Sequence, residues 1–137
     1  LDKRTPQIKA LNMSNLKEAM AYIETHNLIG IKAGTERTKF LDIWMVVVNN
    51  RVFARSWGFA EKSWYNTFLQ NEYGQIKCGD NVFDVIATPI HEQPELQEEI
   101  NLAYLQKYNS LENLKYAEGI IQPQHIEKTM EFRLIEA

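Results

Sequence analysis

Two hydrophobic periods alternate along the chain. Leu16, Ala19, Met20 and Ile23 recur at i, i+3, i+4 and i+7, which is one apolar helical stripe over residues 15–26. Ser14 or Asn15 can cap that helix and Asn27 can end it. The run 28–34 (LIGIKAG) reads as a first strand, and a polar loop, 35–39, follows. Residues 43–48 (IWMVVV) are continuously apolar, and after Asn49-Asn50 the run 51–57 (RVFARSW) is β-rich again. Asparagine tolerates the positive φ of a tight primed turn, so these two runs predict a hairpin supplying strands two and three.

The rest of the chain repeats these signals. Residues 61–71 predict a short helix burying some of Trp64, Tyr65, Phe68 and Leu69. A second hairpin is expected from strands 75–78 and 82–87 around Gly79-Asp80-Asn81, with Thr88-Pro89 ending it because proline cannot donate to a ladder. Pro94 suits the first position of a helix to about Tyr108, with Glu95 near its start and Lys107 near its end as the helix dipole favours. A further short helix is expected over 110–117, capped by Ser110. Polar and apolar residues then alternate strictly over 129–134, the pattern of a half-buried strand. Six strands, mostly in hairpins, suggest a small antiparallel barrel.

Composition narrows the function classes. The 137 residues suit one domain, and 45% hydrophobic content is enough for a core. A net charge of −3 argues against a general nucleic-acid binder, whose affinity needs lysine and arginine on phosphates. No apolar run approaches a membrane span, and the start shows no signal-peptide pattern. One cysteine, Cys78, excludes an intrachain disulfide, suits a reducing cytoplasm and reads as a small buried residue.

Candidate chemistry is sparse. His26, His91 and His125 show no ligand spacing, so they read as surface or loop residues rather than a metal site. There is no nucleophile elbow, triad, dinucleotide fingerprint or P-loop. Arg55 cannot serve as a base for Ser56, because arginine stays protonated. The glutamates at 95, 98, 99 and 112 fit a solvated helical face. What remains is a set of donors, Thr35, Arg37, Thr38 and Lys39 with Arg55 and Ser56. If strands one and three adjoin in a barrel, these groups converge on an anion, which arginine grips as a bidentate fork. Trp57, Trp64 and Tyr65 would then cover a ring system. The competing reading is that the arginines are surface charges and the tryptophans pack the barrel end.

The order of these elements resembles the FMN-binding split-barrel superfamily, and in particular the small deazaflavin-dependent nitroreductases. The residues carrying the likeness are the loop 34–39 (GTERTK), the hairpin 43–57, the pair Trp64-Tyr65 and the strands over 75–87. The chain is also similar to an uncharacterised bacterial family of that superfamily. The shared features there are the strand 43–48, the Arg55-Ser56 exit and the late-helix segment Ala103-Tyr104-Leu105-Gln106-Lys107-Tyr108. The resemblance spans about residues 28–135. Glu36 and Phe40 interrupt the loop, and Thr67 stands where the nitroreductases have asparagine.

The expected fold is therefore mainly β (α+β), a six-stranded antiparallel split β-barrel with a few peripheral helices. It forms a single domain over 1–137, with an N-terminal arm and helix in 1–27 and the barrel in 28–135. The resemblance implies FMN or a deazaflavin as cofactor and hydride transfer to a small substrate. It places the cofactor on Thr35, Arg37, Thr38, Lys39, Arg55, Ser56, Trp57, Trp64 and Tyr65, and it implies a homodimer. No catalytic residue is assigned, because the cofactor itself would carry the hydride. The alternative is a barrel that has lost the redox cofactor and serves as a small-anion-binding or dimeric interaction module. Neither nucleic acid nor membrane is an expected partner, and the expected location is cytoplasmic.

Overall fold

The structure is a computed structural model, and it describes residues 9–10 and 13–136. The loose arm expected over 1–13 lies outside the described residues except for Lys9, Ala10 and Met13. Along the chain come β1 (Lys9–Ala10), α1 (Met13–Thr25), β2 (Ile29–Ala33), β3 (Leu41–Ile43), β4 (Val46–Val48) and β5 (Arg51–Arg55). They are followed by α2 (Trp64–Gln70), β6 (Tyr73–Cys78), β7 (Asn81–Pro89), α3 (Pro94–Lys107), α4 (Leu111–Ile120), α5 (Pro123–Ile126) and β8 (Thr129–Glu136).

Local chemistry accounts for most of these boundaries. Asn49 and Asn50 both take positive φ, 54° and 62°, as a primed turn requires, and they join β4 to β5. The Ser63 hydroxyl accepts from the Asn66 amide at 3.2 Å and caps α2. Pro94 opens α3, Glu95 lies in its first turn and Lys107 in its last. The ladder of β7 ends at Pro89, opposite Met130 of β8, so Thr88-Pro89 closes the strand as expected. Proline is tolerated there because it is the strand's last residue.

The sheet is antiparallel throughout, and its hydrogen-bonded path is β3-β2-β6-β7-β8-β5-β4, with β1 paired to β8 beside it. Seven strands on that path replace the six expected. The difference lies at residues 43–48, which do not form one strand. Ile43 pairs with Ile29 of β2 at one end of the sheet, and Val46 pairs with Phe53 of β5 at the other. Only Trp44 and Met45 separate them, so three Cα steps of 3.8 Å hold the two sheet ends within about 11 Å. The sheet therefore curls round on itself and remains open along one seam.

At the seam the Met45 backbone has no ladder partner, and the end of α3 supplies one. The Met45 N–H donates to the Tyr108 hydroxyl at 3.0 Å, and its carbonyl accepts from Lys107 Nζ at 2.7 Å. The same hydroxyl donates to the Asn27 carbonyl at 2.7 Å, and Lys107 also donates to the Ile23 carbonyl. Two orphan backbone groups that burial would penalise are thereby satisfied.

Two apolar clusters fill the molecule. One lies on the inner face of the curled sheet, with Ile31, Ile76, Val85 and Phe132 packed against Ala19, Ile23, Trp64 and Phe68. The other joins the outer face of β4 and β5, through Val46, Val48 and Phe53, to Leu96, Ile100, Tyr104 and Ala117 of α3 and α4. Both faces of β4 and β5 thus contribute to apolar clusters within the chain. Cys78 is buried as expected, and burial, with Glu18 nearby, pushes its thiol up to about 11. No helix among the described residues is long and apolar enough to cross a membrane.

Candidate functional site: a tryptophan-lined cleft at the seam

The open seam borders a cleft of about 560 Å³. The edge strand β3 forms one side, with Leu41, Asp42 and Ile43, and the exit of β5 forms another, with Arg55, Ser56 and Trp57. Arg37, Lys62, Ser63, Trp64 and, from α4, Tyr116 and Ile120 also contribute to the lining. The volume falls within the range of small-molecule sites. All three tryptophans of the chain, Trp44, Trp57 and Trp64, line it.

The candidate residues read from the sequence separate into three groups. Arg37, Arg55, Ser56, Trp57 and Trp64 come together in this cleft. Tyr65 is buried; its hydroxyl donates to the Glu127 carbonyl at 3.3 Å, and it borders a different, larger hollow of about 940 Å³ beside α3. Lys39 borders a third hollow with Phe40 and Lys77, while Thr35 and Thr38 are exposed and line none of the three.

Arg55 does a different job from the phosphate fork expected of it. It is only 3% exposed. Its Nε donates to Thr129 Oγ1 at 3.0 Å, and Nη1 to Asn101 Oδ1 at 2.5 Å and the Ile120 carbonyl at 3.3 Å. Its Nη2 donates to the Gln97 carbonyl at 3.2 Å and to Gln97 Oε1 at 2.7 Å. A guanidinium has five N–H donors, and all are engaged by neutral oxygens of α3, α4 and β8. Burial pushes its pKa down to about 10, against the pull of Tyr104 and Glu98, so it stays charged at neutral pH. Arg55 therefore presents the cleft with positive charge but with no free hydrogen. Ser56 is similarly engaged, donating to the Gly58 carbonyl at 2.8 Å.

Arg37 is the converse case. Its Nη2 donates to the Lys62 carbonyl and to Thr67 Oγ1, each at 2.6 Å. Nε and Nη1 have no partner among the described residues and can each donate singly, whereas both bidentate edges of the guanidinium include the engaged Nη2. Thr67 in turn donates to the Ser63 carbonyl at 3.0 Å, tying the loop arginine to the start of α2. The threonine that departs from the nitroreductase pattern is thus the residue that holds Arg37.

Two of the three indoles are backed by another ring. Trp44 stacks on Tyr108 with centroids 3.9 Å apart and planes 6° apart. Trp57 stacks on His125 at 4.7 Å and 8°, and Tyr116 meets it edge-on at 6.1 Å. Trp64 is buried at the cleft floor against Phe68 and Phe132. Trp44 and Tyr116 escape a reading of the sequence, since Trp44 looks like one more apolar strand residue until β3 and β4 part on either side of it. His125 also departs from the surface or loop placement expected for it. It is 5% exposed, and its Nδ1 lies 3.0 Å from the Ser56 carbonyl, which fixes Nδ1 as the protonated nitrogen. Among the described residues no three His, Cys, Asp or Glu side chains are grouped to hold a metal ion.

Solved structures share this architecture at low sequence identity. HutZ, the heme storage protein of Vibrio cholerae, aligns with a TM-score of 0.57 and 14% identity over 91% of this chain and 89% of its own. An FAD-binding protein of Mesorhizobium loti aligns with a TM-score of 0.53 and 10% identity, covering 95% and 94%. The conserved hypothetical protein Rv2991 of Mycobacterium tuberculosis aligns at 0.52 and 13%, covering 98% and 85%. At such identities the likeness concerns the fold alone. No curated protein matches the chain. Residues 21–132 match the family described as "Uncharacterized protein conserved in bacteria (DUF2255)", and the chain belongs to that family.

Proposed function

We propose that the seam cleft binds a flat, anionic ring cofactor of the flavin type, FMN or a deazaflavin, and that the protein serves as an oxidoreductase acting on a small substrate. The observation that carries this reading is the lining of one cleft by all three tryptophans together with Arg37, Arg55 and Lys62. The residues fit such a group. Arg37 Nε and Nη1, without a partner among the described residues, can each donate singly to a phosphate, Arg55 adds a fixed buried charge, and the half-exposed Trp57 offers a ring face. When bound, the cofactor would supply the hydride chemistry, and the chain would supply orientation, charge and exclusion of water. A homodimer belongs to the same reading, since exposed Leu28, Leu41, Trp57 and Tyr116 rim the cleft.

The alternative, a barrel that has lost the redox cofactor and serves as a small-anion-binding or dimeric interaction module, draws support from Arg55 and Ser56, whose donors are engaged within the protein instead of being offered to a cofactor phosphate. Thermal unfolding with FMN, riboflavin, a deazaflavin cofactor and inorganic phosphate separates the two. A ligand at one hundred times its dissociation constant adds about 2.7 kcal/mol, a readable shift. The flavin reading expects a larger shift with FMN than with riboflavin, and expects Arg37→Ala to erase that difference while leaving the unliganded protein's melting temperature nearly unchanged. A shift with phosphate and none with any flavin or deazaflavin would overturn it in favour of the anion-binding barrel.

A further inference from the structure

Gly119 lies within α4, one residue before its end. Glycine is the weakest helix former after proline, so its presence there calls for a reason. The backbone supplies none, because Gly119 is not among the glycines with positive φ. Space supplies one. A Cβ on Gly119 would lie 2.8 Å from Cη2 and 3.3 Å from Cζ3 of Trp57, closer than side-chain carbons approach. The glycine is therefore a seat for the indole. His125 holds the same indole by stacking, and the His125 ring is fixed by its hydrogen bond to the Ser56 carbonyl at 3.0 Å. Tyr116 meets the indole edge-on, and the residue is 51% exposed where it lines the cleft.

A large aromatic residue that is half exposed is usually free to change rotamer. This one is covered on one face by a buried imidazole and meets Gly119 at its Cη2–Cζ3 edge, where a side chain is missing. We propose that Trp57 is a pre-positioned stacking platform for the aromatic ring of the cleft's ligand, and that Gly119 is the positioning residue that sets its plane. The inference rests on the flavin reading above and adds to it which indole meets the ring and what holds it there. Pre-organisation of this kind lowers the cost of ordering the site on binding.

Gly119→Ala, Trp57→Phe and the double variant test it, with FMN and riboflavin as probes and flavin fluorescence as readout. Alanine favours the helix, and the displaced atoms are the far end of an exposed side chain, so Gly119→Ala should melt no lower than wild type. It should nevertheless bind both FMN and riboflavin at least tenfold more weakly. In the Trp57→Phe background, where the shorter ring clears the new methyl group, Gly119→Ala should change affinity less than twofold, the non-additivity expected of a residue acting through another. Wild-type affinity in Gly119→Ala, or an equal loss in both backgrounds, would overturn the seat while leaving the flavin reading intact. Absence of flavin binding by the wild-type protein would overturn both.

Discussion

Arg55 shows how far a residue's role depends on what surrounds it. A strand-end arginine beside a serine has the residue types of an anion site, yet its donors all end on protein oxygens. Truncation would leave Gln97, Asn101, Thr129 and the Ile120 carbonyl short of partners in a buried place, and each buried polar group left unsatisfied typically costs about 1–3 kcal/mol. Arg55→Ala should therefore lower the urea midpoint severely or abolish folding. A variant with nearly wild-type stability would show that the guanidinium is dispensable to the packing of α3 and α4 on β5. Arg37 was legible in the sequence as a donor, but not its advantage over Arg55, because free and engaged nitrogens differ only once Lys62 and Thr67 are in place.

Among elements, α3 has the widest reach. The Ala-Tyr-x-x-Lys-Tyr segment could be read from the sequence as a family feature and as a buried stripe. Its polar atoms prove to be braces. The Tyr104 hydroxyl accepts from the Arg55 amide at 2.8 Å, and the Tyr108 hydroxyl and Lys107 serve both sides of Met45. Tyr108→Phe keeps the ring that backs Trp44 but leaves the Met45 amide and Asn27 carbonyl without their partner. A loss of about 1–3 kcal/mol in chemical denaturation is expected. A loss within error would mean that water reaches the seam and replaces the hydroxyl. The hairpin turn at Asn49-Asn50 and the amphipathic helices were foreseeable because their causes are local. The short strand β3 was not, because its three residues carry no periodic signal of their own.

For the whole molecule, burial of these side chains sets the response to alkali. Burial pushes the Tyr104 phenol from 10 up to about 12, and it raises Tyr108 as well. An unfolded chain gives up those protons near pH 10, whereas the folded chain keeps them, so stability present below pH 10 is lost as pH rises towards 12. Lys107 acts in the opposite sense. Burial pushes it from 10.5 down to about 8, so the folded state sheds a proton that the unfolded state holds between those values, and stability from this group rises across that window. The urea midpoint should accordingly hold or increase from pH 8 to 10 and fall above pH 10. A midpoint already declining between pH 8 and 9 would contradict the buried placement of this cluster. Tyr104→Phe should flatten the decline above pH 10.

The sequence by itself determined where most helices and strands lie, the primed turn of the central hairpin, the burial of Cys78, and the presence of basic and aromatic groups near the exit of β5. Each follows from spacing, turn chemistry or residue size, which act over a few neighbouring positions. Tertiary structure alone decided that the apolar run at 43–48 crosses from one end of the sheet to the other, that helices cover the second face of β4 and β5, and that Arg55 is a brace while Arg37 keeps donors with no partner among the described residues. It also decided that Trp44 joins Trp57 and Trp64 in one cleft and that Gly119 makes room for an indole. These outcomes depend on contacts between residues tens of positions apart. No local pattern encodes which of two chemically equivalent groups the rest of the chain will engage.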